Sequence, residues 1–342
     1  MEKRLFIVSN RLPVTVSEET GIQHASGGLI TAISSYLSKP GAQSFDEVFW
    51  SGVPGCNLGT WVSAIKKIQN APFTYLPVFV PQKEYDGYYN GHANSVLWPL
   101  FHYFPSYAEY NVECYDCYQR VNQWFAETLV KNLRPSDTVW IHDYHLLPLA
   151  AMLRKEIPEL TIGFFLHIPF PSFEIFRLLP KKWQEDLLKG LLGADLIGFH
   201  TIDYASHFLQ SVLMILGLDN DRHIMHYDNR LIKVDVFPIS IDFKKFNDAY
   251  DLPSVTQLRQ SMLRQMNNRK IIFSVDRLDY TKGVFNRLKG YEYFLMQNPE
   301  YLGKVVFVMV IVPSRDTIPK YMERKKMIDE LISHINSKVG NI

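Results

Sequence analysis

The chain has 342 residues, with 36 Lys and Arg against 35 Asp and Glu, for a formal net charge of +1. Its 47% hydrophobic and 21% charged residues are those of a globular protein, long enough for two domains and a sizeable core without disulfide or metal staples. The near-balance of charge excludes a nucleic-acid binder that works through bulk electrostatics, so any anion site must be local. The apolar run Leu5 to Val8 is too short for a signal-peptide core. No apolar stretch reaches the ~18 residues that cross a bilayer. Three cysteines are too few for a disulfide framework. Cys114 and Cys117 form a lone C-x-x-C without a second pair, which reads as incidental thiols in a reduced, cytoplasmic protein.

Taken along the chain, short β-branched or aromatic runs end in polar residues: LFIVSNR (5–11), TVWIHDYH (138–145), TIGFFLHIPFP (161–171), DLIGFHT (195–201), IKVDVFPISID (232–242), IIFSVDRLDYTKG (271–283) and VVFVMVIVPSR (305–315). Their apolar parts are near-continuous, which predicts strands buried on both faces of a parallel sheet. Helical stripes lie between them: Val121, Trp124, Phe125 and Leu129; Phe208, Val212 and Ile215; Ile328, Leu331, Ile332 and Ile335. Thr201 or Asp203 is placed to cap the second, and Gly217 to stop it. Segment 40–60 reads as loop, and Tyr-, His- and Asn-rich 81–118 as an irregular region of exposed aromatics. The alternation predicts a doubly wound α/β architecture with a domain boundary within 238–255. In such sheets ligands bind at the carboxyl ends of strands, so the polar ends of the runs are the candidate sites.

Arg11 ends the first run, and Ser26, Gly27 and Gly28 precede the apolar stretch Leu29 to Leu37. Glycines ahead of a helix let backbone N–H groups approach a phosphate, although a plain tight turn has the same composition. Asp143, between His142 and His145, can accept hydrogen bonds from sugar hydroxyls or take part in acid–base chemistry. The two histidines lack a metal-ligand spacing and read as structural or polar contacts. His167 ends an apolar strand. Arg277 and Lys282, with Gly283 behind them, can clamp a diphosphate and neutralise charge on a leaving group. They can equally pair with Asp276 and Asp279 on the surface. Ser314 and Arg315 end the last run. Tyr88, Tyr89, Asn90 and Trp98 offer flat faces suited to sugar rings or to packing.

In this order, the strings SNRLPV, SGGL, EYDGYYNGHANSVLWPLFHY, IHDYHLLPLAAMLR, GFFLHIPFPSFEIFRLLP, DLIGFHT, SVDRLDYTKG and VPSR resemble the trehalose-6-phosphate synthase family of retaining glycosyltransferases over essentially the whole chain. The resemblance implies the GT-B architecture of two Rossmann-like domains, here 1–240 for the acceptor and 241–342 as the first part of the nucleotide-sugar domain. It implies transfer of glucose from UDP-glucose to glucose 6-phosphate, giving α,α-trehalose 6-phosphate and UDP, with no metal or other cofactor and no nucleic-acid or membrane partner. By the same resemblance Arg11, Tyr89, Trp98 and Arg315 form the glucose-6-phosphate pocket and Asp143 contacts the acceptor hydroxyl. Gly27 and Gly28 lie close to the donor, His167 beside the donor sugar and the reacting centre, and Arg277 and Lys282 on the donor diphosphate.

The family's D-G-M-N-L-V-A-K-E-type donor motif and its final helix have no counterpart before Ile342. About 100 residues follow position 240, whereas a six-stranded doubly wound domain takes roughly 180. The expectation is a C-terminally truncated member whose second sheet is covered by a second copy or a partner chain, or which is a piece of a longer protein. Two alternatives follow from the same residues: a non-catalytic binder or regulator of a full-length synthase, and a synthase with another phosphorylated acceptor such as glycerol 3-phosphate.

Overall fold

The first strand, β1 (Arg4–Arg11, RLFIVSNR), is buried along its length and reaches solvent only at Arg11. The computed structural model describes residues 2–17, 21–24, 27–37, 44–65, 73–313 and 319–339. Backbone contacts divide the chain into two units, residues 1–241 and 242–342.

In the first unit β1 is followed by β2 (Val14–Ser17), β3 (Gly21–His24), α1 (Gly28–Leu37), β4 (Glu47–Val53), α2 (Leu58–Ile65) and β5 (Thr74–Pro77). Next come α3 (Gln82–Asp86), a π-helix (Gly87–Leu97), α4 (Trp98–Phe101), α5 (Val112–Val130), β6 (Thr138–His142), α6 (Leu149–Glu156) and β7 (Thr161–Phe165). The unit closes with α7 (Phe173–Phe176), α8 (Lys181–Leu191), β8 (Leu196–Phe199), α9 (Ile202–Leu216), β9 (Asn220–Asp221), β10 (Ile224–Tyr227) and β11 (Arg230–Val236).

The main sheet has the order β5-β4-β1-β6-β7-β8-β11-β10-β9. β1 pairs in parallel with β4 on one side and β6 on the other, so the strand order reverses beside it. That reversal opens a crevice at the carboxyl ends of β1 and β6. The wholly parallel sheet expected from the sequence is corrected: β10 and β9 add an antiparallel ribbon outside β11. Their residues alternate in burial, because an end-of-sheet ribbon does not have a helix layer on both faces.

Two further expectations are overturned. Segment 40–60 holds β4 and the start of α2 rather than loop. A Cβ at Gly52 would lie 2.6 Å from backbone atoms of Arg11 and Leu12, so the glycine lets β4 close on β1. Segment 81–118 is helical, and its rings are largely internal: Tyr88 and Tyr118 are buried and stacked at 5.7 Å, and His92 lies 4.7 Å from Tyr118 and 5.2 Å from Trp183. Polar and aromatic composition hid this because the burial comes from ring-on-ring packing, not from an apolar stripe. Gly87 and Gly91 on the π-helix face Cys117 and Cys114 on α5, where any Cβ would overlap the thiols. Burial pushes both thiols above their ordinary pKa, so the C-x-x-C pair serves helix packing.

The helix signals hold. α5 buries Val121, Phe125 and Leu129 and is capped by Asn111, whose side chain accepts from the Cys114 N–H at 3.1 Å. Thr201 caps α9, and Gly217 ends it in the left-handed region at φ 69°.

The second unit contains α10 (Phe243–Ala249), α11 (Pro253–Gln265), β12 (Lys270–Arg277), α12 (Val284–Gln297), β13 (Val305–Val312) and α13 (Pro319–Val339). β12 and β13 pair in parallel from Lys270–Val305 to Arg277–Val312. Leu278, Val284, Leu288, Ile328, Leu331 and Ile335 form its core, with Ile332 packed against it. Phe273, Val275, Val310 and Val312 are exposed, so this two-stranded sheet presents apolar surface.

At the end of β1 away from the crevice, Arg4 donates through Nε to Asp137 Oδ1 at 2.9 Å and through Nη2 to Asp137 Oδ2 at 2.5 Å. Both side chains are buried, at 7% and 1% exposure. Removing one partner strands a buried charge. Arg4→Met is therefore expected to cost about 3–5 kcal/mol, read as a lower urea midpoint, while Arg4→Met with Asp137→Leu recovers much of that loss.

Candidate active site

Arg11 leaves β1 at the crevice and donates from Nε to the Tyr85 hydroxyl at 3.0 Å. Its guanidinium lies 5.2 Å from the Tyr89 ring centroid. Tyr85 stacks on Tyr89 at 5.4 Å and 10°, and Tyr89 stacks on His145 at 5.5 Å and 8°. These rings form a flat platform beneath the cation, the arrangement in which ring faces favour positive charge. The Asn10 side chain donates to the same Tyr85 hydroxyl at 3.2 Å. Trp98 is buried at the start of α4 and contacts Tyr144 at 5.7 Å, next to Asp143.

Asp143 follows β6 with φ 76° and ψ 168°, a region nearly reserved for glycine. Its N–H donates to the Phe165 carbonyl at 2.8 Å, and its Oδ1 accepts from the His167 N–H at 3.3 Å. The strained backbone thus holds the carboxylate over the turn after β7. The His142 Nδ1 lies 3.0 Å from the His167 Nε2. Burial and the neighbouring His200 push His167 down to about 3, and burial with His167 pushes His142 well below its ordinary value. Both rings are therefore neutral at pH 7.

Gly27 precedes α1 and Gly28 begins it, and a Cβ at either would meet nothing within 4 Å. Neither glycine adds a side chain at the helix N-terminus, an end that favours an anion. Ser26, Ser314 and Arg315 lie outside the described residues. No group of three His, Cys, Asp or Glu side chains among the described residues is arranged to hold a metal ion.

In the second unit Arg277 ends β12, and Lys282 closes a short turn (Tyr280–Lys282). Both are exposed. The surface pairing with Asp276 and Asp279 does not occur. Asp276 instead accepts from Arg287 on α12 at 2.5 Å, and Asp279 accepts from the Thr281 hydroxyl at 2.8 Å and the Tyr321 hydroxyl at 3.1 Å. Arg287 also donates to the Lys282 carbonyl at 2.7 Å, which fixes the turn that carries the lysine. Gly283 sits at φ 63°, letting the chain pass from that turn directly into α12. Among the described residues, Arg277 and Lys282 are cations without an acidic partner.

The structure thus joins Arg11 to Tyr89, Tyr89 to the turn of Asp143, and Asp143 to His167. Sequence reasoning missed Tyr85, His200 and Arg287. Tyr85 stood in the E-Y-D-G-Y-Y-N-G string and His200 in the D-L-I-G-F-H-T string, whereas no sequence signal marks Arg287.

A family model described as glycosyltransferase family 20 matches residues 3–342. The chain belongs to glycosyltransferase family 20, the trehalose-6-phosphate synthases. It is 42% identical over 345 residues to a bifunctional trehalose-6-phosphate synthase/phosphatase of Thermoproteus tenax, covering 99% of this chain and 46% of that protein. It is 42% identical over 352 residues to an α,α-trehalose-phosphate synthase [UDP-forming] 2 of Aspergillus fumigatus, covering 100% of this chain and 72% of that protein. The family-20 chain also resembles two liganded structures. One, from E. coli, is bound with UDP-2-fluoro glucose (TM-score 0.84, 31% identity, 99% and 71% coverage). The other is a Burkholderia xenovorans α,α-trehalose-phosphate synthase in complex with glucose-6-phosphate (TM-score 0.83, 28% identity, 99% and 72% coverage).

The buried histidines of this family-20 chain dictate its acid response. His92 and His167 are pushed down to about 3, chiefly by burial, and His142 is likewise held neutral. All three titrate near 6.5 once unfolded, so below that pH the unfolded chain takes up protons that the folded chain refuses. Stability should fall as the pH drops from about 6.5 toward about 3. Three such groups imply a slope of about 4 kcal/mol per pH unit, or about 6 kcal/mol between pH 7 and pH 5, measured by urea unfolding. His92→Leu is expected to lower that slope by about a third.

Proposed function

We propose that this chain transfers glucose from UDP-glucose to glucose 6-phosphate with retention, forming α,α-trehalose 6-phosphate and UDP. The reading includes a GT-B arrangement of two Rossmann-like domains, with 1–240 taking the acceptor and 241–342 contributing to the donor site. The observation that carries it is the pair of unneutralised cations, Arg277 and Lys282, at a strand's carboxyl end in a family-20 chain. The relatives bound with UDP-2-fluoro glucose and with glucose-6-phosphate support the substrate pair.

In this reading Arg11 binds the acceptor's phosphate, with Arg315, and the Tyr89 and Trp98 rings shape its sugar pocket. Asp143 accepts a hydrogen bond from the attacking hydroxyl. His167, being neutral, hydrogen-bonds the donor sugar without adding charge. Gly27 and Gly28, without side chains, let the α1 terminus approach the donor. The bond from the anomeric carbon to the UDP phosphate oxygen breaks while the acceptor oxygen bonds to the same face of that carbon. The acceptor's proton passes to the departing phosphate oxygen. Arg277 and Lys282 stabilise the negative charge that grows there.

A second reading, sugar-phosphate binding without turnover, is favoured by the apolar surface that β12 and β13 expose. The deciding measurement is UDP release with both substrates. Arg277→Ala with Lys282→Ala is expected to lower turnover at least ~100-fold, and undiminished release in that variant sinks the diphosphate assignment. Arg11→Ala is expected to raise KM for glucose 6-phosphate about 10- to 100-fold with little change in KM for UDP-glucose. Calorimetric binding of glucose 6-phosphate with no UDP release supports the second reading. Faster release with glycerol 3-phosphate than with glucose 6-phosphate replaces the acceptor.

A further inference from the structure

Three histidines end three neighbouring strands of the main sheet: His142 on β6, His167 after β7 and His200 after β8. The proposed function uses only the middle one. Its outer neighbours hold it from two sides.

His142 is 1% exposed, and its Nε2 is buried without a hydrogen-bond partner. Its Nδ1 meets His167 Nε2 at 3.0 Å, so one of these nitrogens carries the proton and the other is bare. If His167 donates, neutral His142 must keep its proton on Nε2, leaving an orphaned buried N–H. If His142 donates, the orphan is a bare lone pair. Orphaned buried donors are the rarer and costlier defect, so His142 donates from Nδ1. Neutral His167 then carries its own proton on Nδ1. This is the minority tautomer of a free histidine side chain.

On the other side, the His200 Nδ1 accepts from the Ile239 N–H at 3.4 Å, which places the His200 proton on Nε2. The His200 ring lies edge-on to the His167 ring at 5.8 Å. The His167 N–H is held by Asp143 Oδ1 at 3.3 Å. The backbone N–H and Nε2 of His167 are engaged, and Nδ1 is the side-chain polar group left for a ligand. The titratable groups facing His167 are Asp143, His142 and His200. Phe165 fills the space between the rings, 4.7 Å from His167 and 5.0 Å from His200.

The geometry points to His142 as a positioning residue that locks His167 in the Nδ1–H tautomer, with the His200 ring packed on its other side, so that His167 offers the site a neutral hydrogen-bond donor. This rests on the proposed function for what the donor meets, but not for the tautomer itself. Which nitrogen of a histidine is protonated is set by the bond the other one makes, and losing such a partner typically costs about 10- to 100-fold in activity.

The test is long-range ¹H–¹⁵N spectroscopy of ¹⁵N-histidine-labelled full chain at pH 7, with His167 assigned by its loss in His167→Gln. The wild type is expected to show the Nδ1–H pattern for His167, and an Nε2–H pattern overturns the proposal before any variant is made. His142→Asn keeps an N–H donor near the Nδ1 position, and is expected to preserve the tautomer and to hold kcat within about threefold. His142→Phe keeps a ring but no donor. It is expected to shift His167 to Nε2–H and to lower kcat at least ~10-fold, with KM for glucose 6-phosphate unchanged. An unchanged tautomer or unchanged kcat in folded His142→Phe overturns the inference. If that variant does not fold, the wild-type spectrum still decides. Absence of UDP release by the wild type defeats the proposed function and leaves the tautomer result standing.

Discussion

Everything at the crevice hangs on β1 being gripped at both ends between β4 and β6. At the far end, the buried Arg4–Asp137 pair ties the start of β1 to the turn that leads into β6, where Asp137 also accepts from the Arg134 N–H at 2.6 Å. At the near end, Gly52 lets β4 close onto the Arg11–Leu12 backbone, and Leu12 donates to the Val53 carbonyl at 3.1 Å. A strand held in this way cannot slide, because a shift by one residue would turn its buried set outward. Arg11 and Asp143 are therefore delivered to adjacent strand ends at fixed positions.

The near-neutral charge of the chain acquires a local meaning. The cations at the strand ends are not balanced by the acids beside them in sequence. Asp276 is taken by Arg287, and Asp279 is spent on the turn and on Tyr321. Arg11 is held by tyrosine hydroxyl and ring faces, not by a carboxylate. Such partners orient a guanidinium without neutralising it. The histidines complement this, since burial holds them uncharged and the positive charge stays on the arginines and the lysine.

The second unit shows the same economy in a smaller frame. Its helices α12 and α13 bury one apolar cluster, while Phe273, Val275, Val310 and Val312 face outward. Parallel strands of this composition are usually covered on both faces. The chain spans 46% of the length of the Thermoproteus tenax relative and 72% of the Aspergillus fumigatus one.

Much of this was legible in one dimension. Continuous apolar runs mark β1, β6, β7 and β8 because strands in the middle of the main sheet need apolar residues on both faces, and runs of the same kind mark β12 and β13, whose apolar faces are partly exposed. Asp143, His167, Arg277 and Lys282 could be named because polar residues that end such runs lie at the ligand edge of the sheet. What stayed hidden depends on contacts between distant segments. Segment 40–60 reads as loop until β4 is laid against β1, the aromatics of 81–118 read as surface until they stack, and Asp276 reads as the partner of Arg277 until α12 brings Arg287 to it. Local pattern determined which residues the strands end on. Only the tertiary structure decided which charges stay unpaired and which nitrogen of His167 is free, because hydrogen bonds and ring stacks are satisfied in space, among residues that sequence order keeps apart.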